Sequence, residues 1–203
     1  MYIPPQYRNE DPEQIRAFLK QNAFGILVSS GPDGPAATHL PLEYGKTEGG
    51  KGFLRGHFAK ANPQWRHLGE GTEVLCIFNG PHAYVSSSWY REEEVPTWNY
   101  MAVHVRGHYH RQTREELWKA LRHLVEKYEK DSEHPVSLDA MAPQTLRQVR
   151  GIVGFEIEIT SLQAAYKLSQ GREEDHPRIT KELQRRGGNS AAIARAMLDR
   201  NKP

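Results

Sequence analysis

Phe24-Gly25-Ile26-Leu27-Val28-Ser29-Ser30 runs into Gly31-Pro32-Asp33-Gly34-Pro35 and returns as Ala36 to Tyr44. The reading of this stretch decides the fold. An apolar run meets a strong turn, in which Gly tolerates positive φ and Pro fixes its own, and a second run follows; together they predict an antiparallel hairpin. The same pattern repeats downstream. Glu48-Gly49-Gly50-Lys51-Gly52 marks another turn before a third strand at Phe53 to Phe58. Val74 to Phe78, His82 to Ser86 and Tyr100 to Tyr109 read as further strands, the first two parted by Asn79-Gly80-Pro81. From Ile152 to Thr160 the residues alternate, with Phe155, Ile157 and Ile159 inward and Glu156 and Glu158 outward, the mark of a half-exposed strand. At least six β segments with Gly/Pro turns and one long helix predict a small antiparallel barrel with helical additions.

The helices carry their own start signals. Asp11 caps the first, Pro12 suits its opening turn, and Gln14 stands where a capping-box side chain returns; Ile15, Phe18 and Leu19 share a face. Gln64 to Leu68 reads as a short helix after Asn62-Pro63. The longest helix starts at Thr113 with Glu116 completing a capping box, and Leu117, Ala120, Leu121, Leu124 and Tyr128 recur at helical spacing. Beyond Asp175 two short helices, Ile179 to Arg186 and Ser190 to Arg200, flank Gly187-Gly188-Asn189. We expect two parts: residues 1–172 as the barrel and 173–203 as a helical extension. The extension carries Arg178, Lys181, Arg185, Arg186, Arg195, Arg200 and Lys202. Its helix-Gly-Gly-helix spacing reads either as a docking or dimer-clasping tail or as a partial helix-turn-helix.

Composition removes several classes of function. Lys and Arg total 27 against 25 for Asp and Glu, so global charge does not mark a nucleic-acid binder. Hydrophobic residues are dispersed, with no run near the roughly 18 residues of a membrane span. No basic-then-apolar leader opens the chain, and the single cysteine, Cys76, lies in an apolar run; both fit a cytoplasmic protein with a buried, inert thiol. His104, His108 and His110 fall on one side of a strand, where they read as a solvated face or as a metal site. No zinc spacing, G-x-S-x-G elbow, P-loop or G-x-G-x-x-G fingerprint occurs, and no carboxylate pair points to hydrolysis.

One stretch carries chemistry. Gly56-His57-Phe58-Ala59-Lys60-Ala61-Asn62-Pro63-Gln64-Trp65 delivers His, Lys and Asn within a few residues, beside a Gly and an Ala that leave the backbone uncovered. It reads as an anion-binding turn or as an ordinary solvated one. Thr38-His39-Leu40-Pro41 and Pro96-Thr97-Trp98-Asn99-Tyr100 add hydroxyl, amide and aromatic groups, the set that a planar ring with a phosphate requires.

These blocks, with Met1-Tyr2-Ile3-Pro4, Pro81-His82-Ala83-Tyr84-Val85-Ser86 and Lys167-Leu168-Ser169-Gln170, carry a resemblance over nearly the whole chain. The sequence resembles the PaiB-type FMN-binding negative transcriptional regulators, within the FMN-binding split barrels that include the pyridoxamine-phosphate oxidases. The resemblance implies an α+β fold built on a six-stranded antiparallel split β-barrel with peripheral helices, a homodimer, and FMN at the dimer interface. It implies that Lys60 contacts the FMN phosphate with His57 and Ala59 beside it, and that Thr38, His39 and Leu40 run along the ring. Trp98, Asn99 and Tyr100 correspond to flavin contacts, while Lys167, Ser169, Gln170 and Arg172 close the site late in the chain. The Arg-x-x-Leu-Lys pair and the C-terminal Trp-Arg signature of the oxidases are absent. The implied role is therefore a repressor of protease production and sporulation genes acting on DNA or through a regulatory protein partner, with a flavin-dependent oxidoreductase as the alternative.

Overall fold

In the computed structural model, which describes residues 1–200, the opening stretch forms the expected hairpin. Its strands are β2 (Phe24–Gly31) and β3 (Gly34–Pro41), paired from Phe24 opposite Pro41 to Gly31 opposite Gly34, so that only Pro32 and Asp33 lie in the loop. The remaining strands are β1 (Arg8–Asn9), β4 (Glu43–Lys46), β5 (Gly52–Ala59), β6 (Thr72–Val85), β7 (Thr97–Arg111) and β8 (Ile152–Lys167). Five helices accompany them: α1 (Pro12–Gln21), α2 (Arg114–Glu129), α3 (Pro143–Leu146), α4 (His176–Arg186) and α5 (Gly188–Arg200). The strand order is β3-β2-β6-β7-β8-β5-β4, with β1 on β8.

The architecture is α+β and antiparallel, but the sheet has eight strands rather than six, and its ladder is open. Two physical reasons account for the count. The run from Ala36 to Tyr44 does not stay one strand: at its break the Leu42 N–H turns away to donate to Ala23 O (2.8 Å), and Glu43 to Lys46 pair with β5 instead. Arg8 and Asn9 add a two-residue strand against Ala165 and Ala164.

Elsewhere two expected strands fuse. Asn79-Gly80-Pro81 does not break the chain, and Thr72–Val85 is continuous. Gly80 is there for space: a Cβ on it would stand 2.4 Å from the Phe18 ring and 3.3 Å from Met101 O. Glycine inside a strand often marks such close approach rather than a turn.

The chain divides into two compact units. One comprises Met1–Phe18, Phe78–His104 and the residues from Gln163 onward; the other comprises Leu19–Ile77 and Val105–Leu162. In the first, Phe18 packs on Tyr166 (ring centroids 5.7 Å apart), and the tail helices α4 and α5 bury Ile179, Leu183, Ile193, Ala194 and Met197 completely. The start of α1 differs from expectation in detail. Asp11 Oδ1 accepts from the N–H groups of Glu13 and Gln14, but the Gln14 side chain takes the Asn9 amide instead of returning to the cap.

In the second unit the core is aromatic. Phe155, fully buried, lies between Phe58 (4.9 Å) and Tyr109 (5.5 Å), and rings at these separations add to what their burial contributes. Cys76 is completely buried on β6, and burial pushes its thiol pKa up to about 12, which leaves it inert. The α2 capping box forms as its sequence predicts, with Thr113 accepting from Glu116 N–H and the Glu116 carboxylate accepting from Thr113 N–H.

Candidate functional site

The site in the second unit is built where β5 ends. Strand alternation places His57 and Ala59 on one face and Phe58 on the other, in the core. The chain then leaves the sheet at Lys60, whose N–H donates to Gly151 O (2.7 Å) and whose carbonyl accepts from Trp65 Nε1 (3.0 Å). Both ends of this turn are thereby held while the Lys60 ammonium stays exposed and without an ion pair among the described residues. Next, Asn62 Oδ1 accepts from Gln64 N–H and opens the 3-10 turn Pro63–His67.

Gln64, buried, is the clasp that fixes the turn to the hairpin. Its Nε2 donates to Ser29 Oγ (2.9 Å), Ala36 O (3.1 Å) and Leu27 O (3.3 Å), and its Oε1 accepts from Thr38 Oγ1 (2.5 Å). Asn62 Nδ2 donates to the same Thr38 hydroxyl (2.8 Å). Thr38 is thus tied into the turn. Leu40 points the same way and is buried, whereas His39 faces out and stacks on Phe24 (6.2 Å, 29°). Alternation along β3 therefore separates His39 from Thr38 and Leu40.

His57 lines a cavity of about 300 Å³ beneath α2, together with Pro41, Glu43, Tyr44, Arg55 and Leu121. Burial holds its imidazole below the ordinary value near 6.5. The unfolded chain then binds the proton more tightly, so the stability contributed is complete above about pH 6.5 and declines as pH falls through the folded-state value. His57→Gln is expected to remove that part of the slope. Urea titrations from about pH 7.5 to 5.5 will show the variant gaining on the wild type as pH falls, and parallel curves would contradict the assignment.

Lys60 lines a separate cavity, of about 510 Å³, with Arg111, Arg114, Arg147 and Arg150. Sequence reasoning did not name these arginines, which lie far from Lys60 in the chain. Asn62, expected as a donor to an anion, instead caps the turn and holds Thr38, and Gln64 carries no signal in the sequence beyond an Asn-Pro-Gln opening of a short turn.

The other candidate residues lie in the first unit. Trp98 is half exposed on β7, stacks on His82 (5.8 Å, 29°), donates from Nε1 to His82 Nδ1 (3.2 Å), and meets Tyr84 edge-on. Asn99, on the opposite face, is completely buried: its Nδ2 donates to Ser169 Oγ (2.8 Å), and its Oδ1 has no hydrogen-bond partner among the described residues. Ser169 adopts a left-handed backbone (φ 59°), and its carbonyl meets His176 Nε2. Tyr100 is half-buried on the Trp98 face.

Lys167 Nζ donates to Thr97 Oγ1, and Gln170 closes its own turn through Tyr166 O and Leu168 N–H. Arg172 pairs with Glu94 and lies over the Tyr90 ring (4.8 Å). Nearby, Arg186 covers Trp89 (4.5 Å), Arg178 donates to Tyr90 O and Arg185 pairs with Glu182. Three of the tail's six described basic residues are thus engaged within their own unit; Lys202 lies outside the described residues. No group of three or more His, Cys, Asp or Glu residues suited to a metal occurs among the described residues, and His110 pairs with Glu70 (3.0 Å).

Comparison with known proteins gives these features a context. A family model described as "Putative FMN-binding domain" matches residues 1–161. The protease synthase and sporulation protein PAI 2 of Bacillus subtilis is 43% identical over 205 residues, covering 100% of this chain and 99% of that protein. Among solved structures, the flavocytochrome Anf3 of Azotobacter vinelandii superposes with a TM-score of 0.63 at 15% identity, over 84% of this chain and 75% of that one. The FAD and heme binding protein of Mycobacterium smegmatis gives 0.61 at 14% identity, over 83% and 78%. At such identities these two speak for the fold alone. By the family match and by its full-length relative, the chain belongs to the FMN-binding domain family, in its PaiB-type branch.

Proposed function

We propose that this protein binds FMN as a homodimer and acts as a negative regulator of protease and sporulation genes. The observation that carries the flavin reading is the Lys60 turn: an ammonium without an ion pair, clamped through its backbone at both ends, follows the uncovered Ala59 and the burial-neutralised His57. That donor set fits a flavin monophosphate. A flexible lysine with both flanking backbone groups fixed loses little order on meeting a phosphate, and a charge-assisted contact is among the stronger hydrogen bonds available.

FMN, when bound, supplies a redox-active ring. In this reading Lys60 meets the phosphate, the Ala59 backbone leaves room for it, and Thr38, held by Gln64 and Asn62, sets the β3 edge along which the ring lies. His39 and Leu40 flank that edge from its two faces. In the first unit, taken by itself, Trp98 presents a half-exposed ring that we assign as a flavin contact. Tyr100 shares its face; Asn99, Lys167, Ser169, Gln170 and Arg172 hold the backbone around it through the bonds described above.

A direct flavin titration tests the reading. Lys60→Ala is expected to weaken FMN binding by about 1–3 kcal/mol, measured by flavin fluorescence quenching, with no loss of stability because the side chain is exposed and unpaired. An unchanged dissociation constant would move the phosphate elsewhere.

The regulatory half of the proposal rests on kinship with PAI 2. With Arg178, Arg185 and Arg186 engaged inside their own unit, the tail offers Lys181, Arg195 and Arg200 as its remaining cations among the described residues. Control through a regulatory protein partner suits that surface better than groove reading by two helices. Gel-shift titration with promoter DNA separates the two: binding that is sequence-independent and falls steeply with salt would count against direct repression.

A further inference from the structure

The cavity lined by Lys60, Arg111, Arg114, Arg147 and Arg150 is not absorbed by the flavin reading. It gathers five cations and no carboxylate in its wall. Among the described residues eight other arginines, including Arg55, Arg106 and Arg122, form ion pairs, but none of these five does. The nearby carboxylates are committed elsewhere. Glu115 pairs with Lys119, Glu116 completes the Thr113 cap, Glu156 pairs with Arg55, and Glu70 takes the Arg111 backbone N–H and His110, while the Arg111 guanidinium lies over the Trp65 ring (5.1 Å).

Gln112 adds a second signal. It lines the same cavity, and its Oε1 is buried with no hydrogen-bond partner among the described residues. A flip of the amide presents a donor at that point instead.

Like charges around one concavity repel unless an anion joins them, and low-dielectric walls focus their field. A phosphate monoester carries about −1.5 to −2 charges, short of what five cations neutralise. A diphosphate or triphosphate matches. Apart from Gln112 and Thr113 the rest of the wall is apolar, with Trp118, Leu146 and Ile152, a surface for a nucleobase, and about 510 Å³ lies within the usual range for small-molecule sites. The five cations are themselves exposed but share one cavity, which suits a small ligand rather than a duplex. We propose that this cavity binds a nucleoside di- or triphosphate, with the arginines on the phosphates and the Trp118 side taking the base. The site is independent of flavin except at Lys60, which stands on its rim.

Calorimetric titration of the full-length protein with ATP, AMP and adenosine in about 150 mM salt, with and without saturating FMN, tests this. ATP is expected to bind more tightly than AMP, and adenosine to give no heat. The R147Q/R150Q variant, both changes lying on an exposed segment, should weaken ATP at least about tenfold while leaving the melting temperature and the FMN affinity unchanged. ATP binding by a protein that takes up no FMN supports this inference while ending the flavin reading. Three results overturn the inference: no ATP binding at millimolar concentration, ATP binding untouched by the double substitution, or competition between ATP and FMN with both weakened alike, which assigns the cavity to the flavin phosphate.

Discussion

Gly56→Ala is expected to destabilise the protein by about 3 kcal/mol, at the upper end of what overpacking a filled core costs. Gly56 sits on β5 directly opposite Phe155. A Cβ there would stand 2.7 Å from Phe155 Cζ, 2.9 Å from Pro41 O and 3.0 Å from Leu40 Cδ1. Phe155 cannot retreat, because it is fully buried between Phe58 and Tyr109. Pro41 O is backbone on β3. The substitution must therefore push β3 away from β5, two strands at opposite sides of the ladder order that approach one another without pairing.

The readout is a fall in melting temperature of roughly 6–12 °C, with the urea midpoint moving in step. Gly151→Ala is the control. Nothing lies within 4 Å of its added Cβ, and it should change stability by less than about 0.5 kcal/mol. A loss under about 1 kcal/mol for Gly56→Ala would mean that β3 yields, and that Thr38 and His57 are not held in fixed relation.

The close approach at Gly56 also shows where sequence reasoning reaches its limit. Local signals were legible: the Gly31 to Pro35 turn and the Thr113 capping box each stand as a covalently local pattern and appear in the fold, and the Ile152 to Thr160 alternation does so at Phe155 and Ile157, which are buried, whereas Ile159 is only half-buried. What depends on distant neighbours was not. Gly80 was read as a break because Asn-Gly-Pro is turn chemistry, yet the residue serves the Phe18 ring, which no window around position 80 contains. The extra strands arise in the same way, since Leu42 leaves β3 to reach Ala23, and Arg8 and Asn9 find β8.

The candidate site follows this division. Lys60 and its neighbours stand in one continuous motif, and the motif could be quoted in full. The arginines that share a cavity with Lys60 come from the end of β7, the start of α2 and the segment around α3, and only the fold brings them together. Gln64 stood in plain view within the motif, but its four side-chain partners lie 26 to 37 residues away.

Gln64→Ala is the second large effect, expected at about 3–4 kcal/mol. The substitution leaves a cavity and removes the amide donor from Ser29 Oγ and from the carbonyls of Leu27 and Ala36, while Thr38 loses its acceptor and keeps its bond from Asn62. Two further variants separate packing from hydrogen bonding. Gln64→Leu retains most of the volume, so its residual loss measures the unpaired acceptors; a neutral Gln64→Leu would show the network to be dispensable. Gln64→Glu places a carboxylate oxygen against the two carbonyls to which Nε2 donates and should be as damaging as alanine at neutral pH. Set beside Lys60→Ala, the series makes the site's construction testable. The lysine change should lower FMN affinity at constant stability, because the ammonium is exposed and has no ion pair among the described residues. The glutamine change should lower both, because Gln64 joins the Lys60 turn to the β2–β3 hairpin and has no amide donor left over for a ligand. If Gln64→Ala lowered affinity alone, the amide would be a ligand in its own right, and the clasp would have to be released when FMN binds.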